Sequence, residues 1–298
     1  STPFMSFKNR IINGAMSVDQ RNGGAAQTIT AAAALAYTVD RWYAYCTGAN
    51  VTGQRVAGVA NNQFMYRFSG AASVTAIGIG QRIEQNTCFD MANSVVTFSA
   101  DLQNSLLTTV TWTAYYANTA DTFGSLASPT RTQIANGTFT VSNTPARYST
   151  NINVPAAANT GLEIVLSVGA QTSGYWNIGA VQIEAGGIVT SFERRNYAHE
   201  MMLCNRYYCR WTMGWTGVAG GASYGCSSST GFPATMRATP TLGVTSQTNS
   251  GRFPTGNYSP FATYPYGTSA YYLAGSAGGN DTWSVDGRSE EHTSELQS

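Results

Sequence analysis

Charge is what this chain has least of. Of its 298 residues only 10% are Asp, Glu, Lys or Arg, against about 25% in an average globular domain. Lys8 is the only lysine, and sixteen basic residues against fifteen acidic ones leave a net charge of +1. That balance argues against binding nucleic acid or an anionic membrane surface, both of which need clustered positive charge. Long apolar runs are missing too. The most conspicuous, Ala31 to Ala36, falls far short of the roughly 20 residues that span a bilayer, so membrane insertion is not expected. No charged-then-apolar leader and no initiator Met open the chain, which therefore reads as an internal or truncated piece. Cysteine is sparse and unpatterned: Cys46, Cys88, Cys204, Cys209 and Cys226 form no Cys-x-x-Cys pair, and the histidines are His199 and His292. Neither a zinc site nor a disulfide framework is indicated. Free, buried thiols fit assembly in a reducing cytoplasm. No cofactor is expected, and structural calcium finds no support.

The polar surface is instead built from Thr, Ser, Asn, Gln and 31 Gly, beside 17 Tyr and 6 Trp. The middle of the chain alternates with period two. Val96, Phe98, Ala100 and Leu102 point one way while Thr97, Ser99 and Asp101 point the other. Val110, Trp112, Ala114 and Tyr116 repeat the pattern, as do Leu162, Ile164, Leu166 and Val168, and then Trp176, Ile178 and Ala180. Turn residues separate these runs, so an antiparallel jelly-roll β-sandwich is expected over residues 1–190. Tyr197, Met201, Cys204 and Tyr208 then fall on a helical stripe with Asn196 as N-cap. A helical connector is expected over 191–211, with the helix from about 196 to 210, followed by a smaller C-terminal β domain over 212–287. Residues 288–298, Arg288-Ser-Glu-Glu-His-Thr-Ser-Glu-Leu-Gln-Ser298, resemble the in-frame translation of a sequencing adapter and are set apart from the fold.

An ordered set of motifs carries a family resemblance. Asn9-Arg-Ile-Ile-Asn-Gly-Ala15, Val18-Asp-Gln-Arg-Asn22 and Tyr37-Thr-Val-Asp-Arg-Trp-Tyr43 are followed by Ile178-Gly-Ala-Val-Gln-Ile-Glu-Ala-Gly186 and Thr190-Ser-Phe-Glu-Arg-Arg195. Leu203-Cys-Asn-Arg-Tyr-Tyr-Cys-Arg210 and Phe232-Pro-Ala-Thr-Met-Arg-Ala-Thr-Pro-Thr241 complete the series. Together these resemble phage tail-fibre and receptor-binding proteins whose N-terminal part is similar to carbohydrate-binding-module jelly rolls. The resemblance implies a virion tail component, extracellular after release and homotrimeric. It would bind a bacterial cell-surface glycan and other phage tail proteins, and would catalyse nothing.

Glycan recognition needs flat aromatic faces beside amides and carboxylates. Trp112 and Trp176 lie on apolar faces and are assigned to the core. Tyr115 and Tyr175 lie on the opposite faces and are the ligand-binding candidates. Gln182 and Glu184, in phase with Trp176, either line a groove mouth or form the exposed end of a strand. Asp40, Arg41 and Trp42 form either a sugar-binding cluster or a buried ion pair anchoring the first strands. Glu193 and Arg194 form either a phosphate or acidic-sugar contact or a salt-bridged connector. A glycosidase needs two carboxylates about 5–10 Å apart; Asp90 with Asp101, or Glu163 with Glu184, are the pairs to examine, and nothing in the sequence singles one out. Two alternatives stand beside the tail-fibre reading: a carbohydrate-binding module of a secreted polysaccharide-degrading enzyme, and a purely structural tail or decoration protein.

Overall fold

The structure, a computed structural model, describes residues 7–32, 34–217, 224–248, 259–264, 266–274 and 279–288. Of the adapter-like residues 288–298, Arg288 does not stand apart from the fold but pairs in a sheet with Tyr208 and Thr241, and 289–298 lie outside the described residues. The first strands in chain order are β1 (Gln27–Ile29), β2 (Ala36–Tyr37), β3 (Tyr43–Thr47), β4 (Val51–Ala57), β5 (Phe64–Ser69) and β6 (Ala76–Ile83). A short α1 (Gln85–Cys88) and a 3-10 turn (Phe89–Met91) lead to β7 (Ser94–Asn104), β8 (Thr109–Ala117), β9 (Arg131–Thr140) and β10 (Ala146–Val154). A second 3-10 turn (Ala156–Thr160) precedes β11 (Leu162–Val168) and β12 (Tyr175–Ala185), and α2 (Tyr197–Asn205) follows. These strands form two six-stranded antiparallel sheets, ordered β1-β4-β5-β12-β7-β10 and β2-β3-β6-β11-β8-β9. They pack as a jelly-roll β-sandwich.

The core follows from the alternation. Val96, Phe98, Ala100 and Leu102 of the first sheet share one buried cluster with Val110, Trp112, Ala114, Leu162, Ile164, Leu166 and Val168 of the second. Trp176 is fully buried, its ring stacked 5.5 Å from Phe68. Each such large side chain contributes about 1.5–3 kcal/mol through burial. Cys46, Cys88, Cys204 and Cys209 are buried, and burial pushes the Cys88 thiol up to about 12.

One irregularity re-aims a whole strand. Between Gly179 and Gln182 β12 carries a β-bulge, with Ala180 at φ +43°. An extra residue in a strand of period two exchanges its faces. Val181 and Ile183 therefore turn into the core, and Ala180, expected there from its phase with Trp176, does not join the cluster. Gln182 and Glu184 move to the outer face, beside Ser99 and Thr97 of β7.

The chain divides into two compact units after Glu200. Residues 191–200, expected in the connector, belong with the sandwich because their side chains bond to it. α2 also ends sooner than its stripe implies, at Asn205. Tyr207 N–H donates to the Cys204 carbonyl in a closing turn, and Tyr208 belongs to a strand. Asn196 caps the helix through its side-chain oxygen, 2.9 Å from the Ala198 N–H. The second unit holds β13 (Tyr208–Gly217), β14 (Tyr224–Gly231), β15 (Thr241–Thr248), β16 (Ser259–Tyr264), β17 (Gly267–Ala274) and β18 (Gly279–Arg288). They make two three-stranded antiparallel sheets, β13-β18-β15 and β14-β17-β16.

Two buried tyrosines give the sandwich an alkaline limit. Burial raises the phenols of Tyr43 and Tyr66 well above 10.0, and at Tyr43 the neighbouring Glu163 adds to the rise. The folded state holds both protonated more tightly than the unfolded chain does. Their stabilisation is therefore complete below pH 10 and declines as pH rises from there toward the folded values. In an alkaline titration, phenolate absorbance from these two residues should appear only together with loss of near-UV circular dichroism. Their ionisation near pH 10 in a still-folded protein would contradict this.

Candidate functional site

The outer face of the first sheet carries a cleft of about 650 Å³. Its floor is Asp101 of β7, Arg147 of β10 and the bulged Ala180 of β12, and its walls are Ala60, Asn61, Pro145, Ala146, Ser191, Phe192 and Arg194. Strand register makes the floor, since Arg147 pairs directly with Asp101. The Arg147 guanidinium donates to Asp101 Oδ1 at 2.9 Å, to the Ala180 carbonyl at 2.9 Å and to Ser99 Oγ at 2.7 Å. Its buried Nε–H finds no acceptor among the described residues. Asn62 Nδ2 donates to the other Asp101 oxygen at 2.8 Å. The Arg147 and Arg194 guanidinium carbons stand 5.9 and 5.7 Å from the Phe192 ring centroid, and Arg194 donates to the Asn61 carbonyl. The lining thus offers an aromatic ring, two guanidinium groups and one carboxylate.

The wall is positioned by the return of the chain after β12. Thr190 donates from its backbone and hydroxyl to Glu184, at 3.0 and 2.6 Å, and Glu193 N–H donates to Gln182 Oε1 at 2.8 Å. This return closes Gln182 (0% exposed) and Glu184 (3%) off from solvent. Neither lines a groove mouth nor forms an exposed strand end: the bulge turned them outward, and residues 190–193 then covered them.

The motifs that carried the resemblance converge on a clasp beside this wall. Asn9 Oδ1 accepts from the Ile183 N–H, and its Nδ2 donates to the Val181 carbonyl. Glu193 accepts from the Phe7 and Asn9 N–H groups at 2.9 and 2.8 Å. Arg195 donates to the Ile11 and Asn9 carbonyls and pairs with Glu200 at 3.2 Å. Asn13, at φ +57°, bonds through its side chain to Val18 N–H, Val18 O and Asp40 O. A Cβ on Gly14 would stand 2.1 Å from the Val181 carbonyl oxygen, so only glycine fits there. Trp42, buried, donates from Nε1 to the Asn13 carbonyl at 3.0 Å. Asp40 (0% exposed) accepts from the Gln20 backbone and side chain at 3.0 and 2.6 Å, and Arg41 donates to the Arg82 carbonyl. Asp40, Arg41, Trp42 and Glu193 therefore hold the framework together. Arg194, beside them in sequence, lies in the cleft wall.

The two tyrosine candidates are not brought together. Tyr175 stands on the first sheet's outer face, where Arg67 covers its ring at 4.4 Å and its hydroxyl donates to Asn143 at 2.9 Å. Tyr115 stands on the outer face of the second sheet. There Arg131 stacks on its ring at 4.1 Å, and Glu163, 0% exposed, accepts from Tyr43 at 2.7 Å, from Arg82 at 2.8 Å and from Arg131. Glu163 and Glu184 thus occupy opposite faces of the sandwich and cannot act as a pair, while Asp90 is bound to Arg10 at 2.6 Å. Among the described residues no three His, Cys, Asp or Glu side chains gather as a metal site, and no helix is long and apolar enough to cross a membrane. Phe192 and Arg147 were absent from the sequence candidates. Phe192 had a signal, as the aromatic preceding the Glu193-Arg194 pair, whereas Arg147 had none before its partner strand was known.

The fold is therefore that of a jelly-roll β-sandwich module with a polar cleft on one outer face. In comparisons with known families and with curated protein sequences the chain finds no match. Among solved structures it is similar to the enzymatically active domain of tailspike protein 4 of bacteriophage CBA120, at 17% identity and a TM-score of 0.38, over 60% of this chain and 22% of that one. It is also similar to a family 4 carbohydrate-binding module, at 12% identity and a TM-score of 0.36, over 58% of this chain and 98% of that one. A third is the C-terminal family 22 carbohydrate-binding module of Clostridium thermocellum Xyn10B, at 13% identity and a TM-score of 0.33, over 57% of this chain and 99% of that one.

Proposed function

We propose that this protein is a phage tail component whose sandwich unit binds an acidic glycan of the bacterial surface in the cleft between Phe192, Arg147 and Arg194. The carrying observation is the composition of that lining: an aromatic ring beside two guanidinium groups, with a single carboxylate, Asp101, already held by Arg147 and Asn62. A sugar ring packs its C–H surface on an aromatic face. A uronate or other carboxylated sugar takes the planar guanidinium fork in preference to water. The ordered tail-protein motifs support the phage assignment, with attachment to the host as its purpose and a homotrimer as its assembly. Acid–base cleavage of a glycosidic bond uses two carboxylates, and the lining offers one, which supports binding without hydrolysis.

The test is a glycan array probed with the full chain, carrying both acidic and uncharged bacterial polysaccharides. Retention by carboxylated glycans is expected, weakening as salt is raised. Phe192→Ala should weaken it about tenfold, from the loss of about 1–1.5 kcal/mol of stacking. Arg194→Ala should weaken it about ten- to a hundredfold, as expected for a lost hydrogen bond to a charged group. Tyr115→Ala should leave it unchanged. Acidic-glycan retention that Phe192→Ala and Arg194→Ala leave unchanged, or no retention of any acidic glycan by the folded protein, would overturn the reading. A second reading, a module of a secreted polysaccharide-degrading enzyme, is favoured by the sandwich forming a compact unit with its own cleft. It predicts retention by that enzyme's substrate and none by intact bacteria.

A further inference from the structure

One end of the sandwich holds a second groove, of about 530 Å³, where the β6–β7 and β10–β11 connections meet. Phe89 lies in it with 63% of its surface exposed, unusually bare for so large an apolar side chain. Gln85, Asn86, Asn93 and Asn159, all amide residues, line the groove with it, along with Ala92 and Ala156. No charged side chain lines this groove. None of the four amides is engaged in a hydrogen bond within the described residues.

The exposure of Phe89 is imposed by a braced turn. Cys88 just before it and Met91 two residues on are fully buried, so the 3-10 turn Phe89–Met91 leaves residue 89 pointing outward. Ser94 Oγ donates to the Met91 carbonyl at 2.6 Å and Ala92 N–H to the Phe89 carbonyl at 3.2 Å. Gln85 N–H donates to Asp121 at 2.7 Å, and Arg10 pins Asp90 at 2.6 Å. The bracing holds the backbone beneath Phe89 in place before a ligand arrives, so the cost of binding is confined to ordering the exposed side chains. Each amide offers both donors and an acceptor, which matches hydroxyl groups rather than charged ones.

We infer that this end groove is a second saccharide site, taking an uncharged sugar that stacks on Phe89 and hydrogen-bonds through its hydroxyls to the surrounding amides. The inference extends the glycan-binding reading to a separate surface with different chemistry, so the two fail separately. A chain carrying both sites would grip a mixed acidic and neutral polysaccharide at two points and gain avidity from it.

The experiment titrates the full chain with uncharged hexasaccharides of glucose, galactose, mannose and xylose, and in parallel with the acidic glycans retained on the array. Phe89→Ala should weaken binding of an uncharged probe at least tenfold, and Asn159→Ala should weaken it severalfold. Both should leave acidic-glycan binding and the thermal midpoint unchanged, because both side chains are exposed. Phe192→Ala should do the reverse. Absence of binding by every uncharged probe, or binding indifferent to Phe89→Ala, overturns the second site and leaves the cleft untouched.

Discussion

Replacing Glu163 by Ala should cost the sandwich about 3–5 kcal/mol, the usual penalty for stranding a buried charged partner. Glu163 is 0% exposed and stands between Arg82 and Arg131, whose side chains are 6% and 15% exposed. Removing it leaves two guanidinium groups facing each other in a site of low dielectric, along with the Tyr43 hydroxyl that had donated to it. Against a total stability of about 5–15 kcal/mol that is a large fraction. At about 2–4 °C per kcal/mol for a unit of this size, the melting midpoint should drop by roughly 6–20 °C. Asp90→Ala is the matched comparison. It breaks the Arg10–Asp90 pair, with side chains 18% and 40% exposed, and should cost under about 1 kcal/mol. Equal effects of the two substitutions would show that the second sheet's outer face is not the ionic anchor described here.

The second large effect is at Asn13. Its side chain, 0% exposed, holds Val18 N–H at 2.9 Å, Val18 O at 2.8 Å and Asp40 O at 2.9 Å, and its backbone is left-handed. Asn13→Gly removes the three bonds but keeps the backbone freedom; a loss of about 2–3 kcal/mol is expected, since buried polar groups are left unpaired. Asn13→Ala adds the left-handed strain of a Cβ, about 1–2 kcal/mol more. Urea unfolding of both variants separates the two contributions. Alanine no worse than glycine would place the residue's importance in its bonds alone, and a loss under about 1 kcal/mol for either would remove the clasp's claim to hold the N-terminal segment.

Much of the sandwich was legible because period-two alternation records which face is buried. Val96 to Leu102, Val110 to Tyr116 and Leu162 to Val168 all turn the expected side chains inward. β12 broke the rule midway, because a single bulged residue exchanges the faces without changing the composition of the strand. The fate of Gln182 and Glu184 could not be read without that bulge. The helical stripe overran α2 because Tyr208 fits a 3.6-residue period as well as it fits the strand that claims it. The motifs that carry the resemblance were visible as sequence, yet their work is geometric. Asn9, Asn13, Gly14, Trp42, Glu193 and Arg195 fasten chain segments nearly 190 residues apart in sequence, while Phe192 and Arg194 from the same motif stretch line the cleft. The cleft itself draws on five separate stretches of chain, from Ala60 to Arg194, and only strand pairing brings them together.

The most direct test of the account is to locate the bound glycan. An NMR titration of the full, isotope-labelled chain with the retained acidic glycan reads the arginine side-chain Nε–Hε signals one by one. The account predicts saturable shifts at Arg147 and Arg194, with Arg82 and Arg131 on the opposite face unmoved. Shifts confined to Arg82, Arg131 and the Tyr115 face would contradict it and move recognition to the second sheet.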